Sequence, residues 1–200
     1  MSEIKVDVEH LRMEIQSKYK EVVEHPDATF HFHTGLDATT KVGYKKEWLE
    51  GIPKQTIASF AGVANPFHWG LPLPGEHVVD IGSGAGLDSM IAAHAVGPNG
   101  RVVGVDMTPE MLDRSRASAK EALLDNIDFL EGFAERLPVA EGWADVVISN
   151  GVLNLVPDKV TAYKQIFRAL KPGGRIQIAD ICVDRPIPES ALHDIDLWTG

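Results

Sequence analysis

One cysteine, Cys182, is all the thiol that this chain of 200 residues possesses. An internal disulfide framework is thereby excluded, and so is a thiolate metal cluster; a reducing compartment is permitted. Positive charge is also scarce. The 19 Lys and Arg against 29 Asp and Glu leave a formal net charge of −10, so no nucleic-acid partner is expected, since such a groove needs clustered cations. A small substrate is not excluded by net charge. No apolar run approaches bilayer-spanning length, and no membrane partner is expected. The opening Met1-Ser2-Glu3-Ile4-Lys5-Val6-Asp7 holds no apolar stretch of the secretory kind. A cytoplasmic location is the resulting expectation. What is present, 44% hydrophobic and 24% charged residues, is the composition of a globular protein with a sizeable core.

Two regions separate on pattern. Residues 1–74 read as an N-terminal helical cover or lid. Val8, Leu11, Ile15, Tyr19, Val22 and Val23 fall on one stripe at helical spacing across residues 8–24, and His25-Pro26-Asp27 ends that helix. Residues 27–52 lack a clean period and are expected to hold one short helix around residues 45–49. Pro53 opens another helix through Phe60, with Ile57 and Phe60 inward. Asn65-Pro66 and the Pro72, Pro74 and Gly75 cluster then read as a linker.

From residue 75 to 200, strand and helix alternate, the pattern of an α/β, doubly wound parallel sheet covered by helices. Strands are expected at residues 77–81, 101–105, 127–130, 144–149 and 175–181. Helices are expected at residues 87–96, after Thr108-Pro109 and after Asp158. The last of these has Val160, Tyr163, Phe167 and Leu170 as its inward stripe, and Lys171-Pro172-Gly173-Gly174 stops it. One further helix is expected at residues 189–198.

The first strand runs into Asp80-Ile81-Gly82-Ser83-Gly84-Ala85-Gly86 and then a helix. Glycines at such a turn let backbone approach a ligand closely. A dinucleotide fingerprint would place its third glycine at position 87, which is Leu. That spacing opposes a nicotinamide-dependent oxidoreductase, which is kept as an alternative. Asp106 ends the second strand, 20 residues after Gly86. A carboxylate there can accept from both hydroxyls of a ribose; a solvated strand-end Asp is the alternative. Met107 beside it packs on an adenine face or fills core.

The run Val78-Val79-Asp80-Ile81-Gly82-Ser83-Gly84-Ala85-Gly86 resembles the first motif of class I S-adenosylmethionine (SAM)-dependent methyltransferases. Val105-Asp106-Met107 resembles the second, and Leu170-Lys171-Pro172-Gly173-Gly174-Arg175 the turn before the fifth strand. Within that superfamily, Gly43-Tyr44, residues 62–66 (Gly-Val-Ala-Asn-Pro) and residues 149–159 are similar to the arsenite methyltransferase group. The resemblance implies a Rossmann-like sheet of order 3-2-1-4-5, SAM as cofactor and a small-molecule methyl acceptor. It implies that the loop residues Asp80, Gly82, Ser83, Gly84 and Gly86 line the methionine and ribose part of SAM, with Asp106 holding the ribose hydroxyls and Met107 beside it at the cofactor. Gly132-Phe133-Ala134-Glu135 would edge the adenine. Many class I enzymes carry Asp where Phe133 stands, so here that contact comes from backbone, from Glu135, or is absent. Asn150 would sit beside the methionine.

The resemblance breaks at the acceptor. The arsenite group holds soft trivalent arsenic with several thiolates, but this chain has Val63 and Gly151 at two of those positions and Phe30-His31-Phe32-His33 near others. Cys182 lies far from them in sequence and is expected to be a small buried hydrophobe. A SAM-binding module without turnover is therefore a second reading. His31, His33, Tyr44 and Asp180 are the candidates for groups facing an acceptor; imidazoles can serve as general bases near neutral pH. His31, His33 and His68 could also hold a metal, but no further ligand accompanies them and none is expected. Finally, the family's sixth and seventh strands are missing. The chain is expected to be a fragment; a homodimer through the open sheet edge, or a naturally short sheet, are the alternatives.

Overall fold

The computed structural model describes residues 7–25 and 33–184. Its centre is a five-stranded, wholly parallel sheet of β1 (His77–Ile81), β2 (Arg101–Asp106), β3 (Ile127–Glu131), β4 (Ala144–Asn150) and β5 (Leu170–Ala179), in the order β3-β2-β1-β4-β5. Parallel strands need crossovers; three of the four run through helices, α4 (Leu87–Val96), α5 (Pro109–Glu121) and α6 (Lys159–Ala169), and residues 132–143 join β3 to β4 without one. Both faces of the sheet are covered, so β1 and β4 are buried almost throughout. Strand order reverses between β1 and β4, which opens a crevice beyond their carboxyl ends.

The cover contains α1 (Val8–Glu24), α2 (Gly35–Lys41) and α3 (Lys54–Ala58), with single 3-10 turns at Lys46–Trp48 and Pro66–Trp69. Asp7 caps α1 by accepting from the amides of Glu9 and His10, each at 3.1 Å. Leu11, Ile15, Val22 and Val23 are its buried stripe, and the two valines pack on Ala85 of the glycine loop and Met111 of α5. Tyr44, Phe60 and Phe67 join the core above α4 and α5. The sequence missed α2, whose seven residues Gly-Leu-Asp-Ala-Thr-Thr-Lys bury only Ala38 and Thr39 and so show no apolar period. The helix opened by Pro53 ends at Ala58, short of Phe60.

Two expectations on the last helix and strand fail. The buried stripe of α6 is Ala162, Ile166 and Ala169, whereas Val160, Tyr163 and Phe167 stay exposed, Phe167 at 83%. Two apolar stripes compete in this helix, and the one with small residues can lie closer to the sheet. Arg168 fixes the choice by donating to the carbonyls of Val139 and Leu137 at 2.8 and 3.0 Å. Strand β5 begins at Leu170, because the Lys171–Gly174 turn is absorbed as a bulge: Leu170 pairs with Ala144 and Arg175 with Val146. Cys182 is exposed, contrary to its expected burial, since the chain has left β5 by then. The helix expected at residues 189–198 lies outside the described residues, and within them the sheet stops at β5. No helix among the described residues is long and apolar enough to cross a membrane.

The orientation of α6 is testable by equilibrium urea denaturation. Ile166→Ala should cost about 2–4 kcal/mol through the cavity it leaves, and Phe167→Ala should change stability by less than about 0.5 kcal/mol. Equal losses would mean that the other stripe faces the sheet.

Candidate cofactor site

The carboxyl ends of β1, β2 and β4 converge on one cavity, roofed by α1 and walled by the cover. The tight loop after β1 forms because its backbone folds back on β2: the amides of Gly82 and Ser83 both donate to the Val105 carbonyl, at 2.7 and 3.0 Å. Gly84 takes a φ of +52°, a conformation that costs a side-chain-bearing residue energy, and a Cβ there would meet only Met111 Sδ at 3.9 Å. Backbone is thus brought to the cavity with no side chain in front of it.

Of the residues expected to hold a cofactor, Asp80, Gly82, Ser83, Gly84, Asp106, Met107, Phe133, Ala134, Glu135 and Asn150 all line this cavity. Gly86 is not part of that lining. A Cβ at Gly86 would sit 2.8 Å from the Phe129 ring and 3.1 Å from Ser115, so that glycine serves the close packing of α4's start on β3 and α5. Asp106 Oδ2 accepts from the Gly84 amide and Oδ1 from the Thr108 amide, both at 2.8 Å, leaving each oxygen a lone pair for a further donor. The four acceptor-facing candidates fare differently from the loop. Tyr44 is buried among Trp48, Phe60 and Phe67, outside the cavity lining. His33 is exposed, with Lys41 Nζ at 3.3 Å from its Nδ1. Asp180 accepts from the amide of Asn154 at 3.0 Å and of Ile181 at 2.8 Å, which makes it a turn cap. His31 lies outside the described residues.

Two sets of side chains that sequence reasoning missed shape the site, a pair on α1 and one acid on α4. Arg12 of α1 lies 4.1 Å from the centre of the Phe133 ring and pairs with Glu135 at 3.1 Å. Gln16, one turn on, donates to the Met107 carbonyl at 2.6 Å. Their spacing put them on the charged side of an amphipathic helix, and nothing in the sequence says that this side roofs a cavity. Asp88 is the other. It is buried beside the loop, and its carboxylate accepts from the Tyr44 hydroxyl and from Asn150 Nδ2.

The electrostatics follow from this crowding of acids. Burial, then repulsion from Asp88 and Asp106, pushes the Asp80 carboxyl up to about 8, against the hydrogen bond from Ser89. Burial raises Asp88 to about 6, opposed by Tyr44 and Asn150, and burial raises Asp106 as well, opposed by backbone amides. Burial also pushes the Tyr19 hydroxyl up to about 12, with Asp106 and Asp180 adding to it. Arg12 is the one basic side chain among the described residues that line the cavity, and it is already paired with Glu135. A cavity so built fits a ligand that brings positive charge, as the ammonium and sulfonium of SAM do. It does not suit a dinucleotide, whose pyrophosphate would meet carboxylates. The positions where the arsenite group has two of its thiolates also meet here: a Cβ on Gly151 would lie 3.0 Å from Val63 Cγ1. In this chain the pair forms an aliphatic contact.

Comparison with known proteins agrees with this geometry. The sequence model of a family described as a methyltransferase domain matches residues 73–198. The arsenite methyltransferase of Halobacterium salinarum is 44% identical over 167 residues, 84% of this chain and 42% of that protein. The demethylmenaquinone methyltransferase of Lactococcus lactis is 39% identical over 121 residues, 60% of this chain and 46% of that protein. The crystal structure of an arsenic(III) S-adenosylmethionine methyltransferase from Chlamydomonas reinhardtii superposes with a TM-score of 0.66 at 35% identity, covering 73% of this chain and 51% of the other. The chain thus spans about half the length of such relatives, or less.

Asp80 makes the site's charge measurable. Its carboxyl is raised above the unfolded value, so the folded state holds this proton longer, and the associated stability is fully present only below the usual carboxylate range. That contribution should fall as pH rises from about 4 to about 8. Urea midpoints measured between pH 5 and 8.5 should decline for the native chain and decline less for Asp80→Asn. An equal slope in both would mean that Asp80 ionises as an ordinary carboxylate.

Proposed function

The chain belongs to the methyltransferase-domain family, and from that premise we propose that it transfers the methyl group of SAM to a small, apolar acceptor. The family and its fold imply SAM as the cofactor. The observation that carries the reading is the set of carboxylates, Asp80 and Asp88 buried and Asp106 half-buried, lining a cavity that has no unpaired cation of its own among the described residues.

When bound, SAM supplies a methyl group already activated on a sulfonium. The chain's part is to orient and to exclude water. Asp106 retains acceptor capacity for ribose hydroxyls, and Asp80 for a cationic group. Phe133 and Glu135, held by Arg12, offer a flat face and a polar edge to the adenine. Beyond the loop, the lining turns apolar through Phe60, Val152, Leu155, Val156 and Pro157. No histidine or lysine is among the described residues facing the cavity. An acceptor suited to this wall is apolar and brings a nucleophile that needs no strong protein base. Relatives named for arsenite and for demethylmenaquinone bracket that chemistry; a thiolate-held arsenic is disfavoured, because Val63 and Gly151 supply no sulfur. The same two residues support the second reading, a SAM-binding module without turnover. We place the protein in the cytoplasm, acting on a small molecule, with the exposed edge of β5 as the surface for pairing with a second copy.

Calorimetry of the intact chain should show SAM binding with proton release below pH 8 and no binding of NAD. NAD binding without SAM binding would sink the assignment. Asp106→Ala should weaken SAM by about 1.5–3 kcal/mol per charged hydrogen bond lost. Transfer of label from SAM to quinols or thiols, and not to arsenite, is the expected outcome in the presence of acceptors; no transfer to any acceptor in a metabolite extract would favour the binding module.

A further inference from the structure

Asp88 is a carboxylate only 7% exposed, in the first turn of α4, where the helix's own dipole favours negative charge. Two uncharged donors hold it. The Tyr44 hydroxyl donates to Oδ1 at 2.5 Å, and Asn150 Nδ2 donates to Oδ2 at 3.0 Å. Tyr44 comes from the cover and Asn150 from the end of β4, so this one carboxylate joins two parts of the chain that are far apart in sequence. On its other side the Asn150 amide grips residues 63 and 64: Oδ1 accepts from the amides of Val63 and Ala64 at 3.0 and 3.2 Å, and Nδ2 also donates to the Ala64 carbonyl at 2.9 Å. Gly62 is needed for this approach, since a Cβ there would collide with the Asn150 amide and the Phe60 ring. Gly62, Asp88 and Asn150 all line the cavity.

We propose that Asp88 is a positioning residue of the methyl-transfer site, one that sets the orientation of the Asn150 amide and thereby fixes the cavity wall at residues 62–64. The role rests on the SAM reading above; the geometry does not. A carboxylate only accepts, a backbone amide only donates, and the two ends of a carboxamide do one each. Asn150 therefore has a single orientation that satisfies its surroundings. Turned over, its NH2 would face the amides of Val63 and Ala64, and its oxygen would face Asp88 and the Ala64 carbonyl. A charge buried with no cation beside it is a costly way to fill space. What an acceptor-only group adds is direction, because it removes the alternative orientation of its neighbour. Asp88 also ties that wall to the charge of the cavity. The ionisable groups that act on it and on its neighbour Asp80 are Tyr44 from the cover, Asp80 from β1 and Asp106 from β2, with Asn150 and Ser89 as uncharged partners.

The test combines amide hydrogen exchange with SAM titration on the intact chain. Asp88→Asn keeps the shape but removes the charge and one of the two acceptors, so Tyr44 and Asn150 can no longer both donate to it. Exchange at Val63 and Ala64 should rise about tenfold and SAM affinity should fall by a similar factor. Removing the charge should also move the pH midpoint of SAM affinity downward, since Asp80 then ionises more readily; a residue that merely supports the fold would leave that midpoint in place. Tyr44→Phe keeps the carboxylate but removes a hydroxyl that donates to it and accepts from Asn150 Nδ2 at 3.1 Å. It should raise exchange by a smaller factor, about two- to threefold. It should also move the midpoint downward by less than Asp88→Asn does, since loss of that donor lets Asp88 keep its proton to higher pH. Should Asp88→Asn fail to fold, Tyr44→Phe carries the test through its exchange alone. Unchanged exchange at residues 63 and 64 in either variant overturns the assignment, as does an unmoved midpoint in a folded Asp88→Asn. A native chain that binds no SAM would overturn the cofactor reading, while the exchange data would still decide the clamp.

Discussion

The carboxylates of Asp80, Asp88 and Asp106 lie within one crevice, and the groups that hydrogen-bond to them are hydroxyls, an amide side chain and backbone amides. Bringing three acids together under cover is unfavourable, and the protein meets that cost in two ways. Neutral donors stabilise the charged forms in part, and the remainder is relieved by protonation, most of all at Asp80. The wider architecture makes such a concentration of charge sustainable. A parallel sheet buried on both faces delivers strand ends to a single rim, and the reversal of strand order between β1 and β4 leaves that rim open to a ligand.

Seen from that rim, the rest of the molecule divides by task. The apolar layers on either side of the sheet hold β1 and β4 in register, and Gly86 gives up its side chain so that α4 can start close against Phe129. The cover contributes enclosure as well as core. Its α1 is fastened to the Glu135 and Met107 side of the rim through Arg12 and Gln16, and its Tyr44 reaches Asp88 on another side. An enclosed, water-poor crevice strengthens every electrostatic contact inside it, which suits chemistry in which a positive charge is consumed.

What could be read from the sequence follows a physical divide. The bounds of β1 and α4 were legible because Gly and Pro punctuate them, and the loop and Asp106 because strand ends and their turns dictate local geometry. The facing of α6 was not, since Val160, Tyr163 and Phe167 keep helical spacing as well as Ala162, Ile166 and Ala169 do, and only the tertiary anchor at Arg168 separates them. The same limit applied at the site. Asp80 and Asp106 announce themselves by position in a motif. Arg12 and Asp88 matter through partners 123 and 62 or 44 residues away, and no local pattern encodes those distances. Tyr44 illustrates the converse: it was expected to face an acceptor, but its hydroxyl lies outside the cavity lining and meets Asp88 and Asn150, which belong to it.

The fastening of α1 has a consequence for time as well as for geometry. Arg12, Gln16 and the residues they hold, Glu135, Phe133 and Met107, all belong to the cavity lining or reach its edge. A ligand seated against that edge would lie beneath α1, so release of the contacts made by Arg12 and Gln16 would widen its way out. The residence of such a ligand would then be a property of α1 as much as of the pocket beneath it.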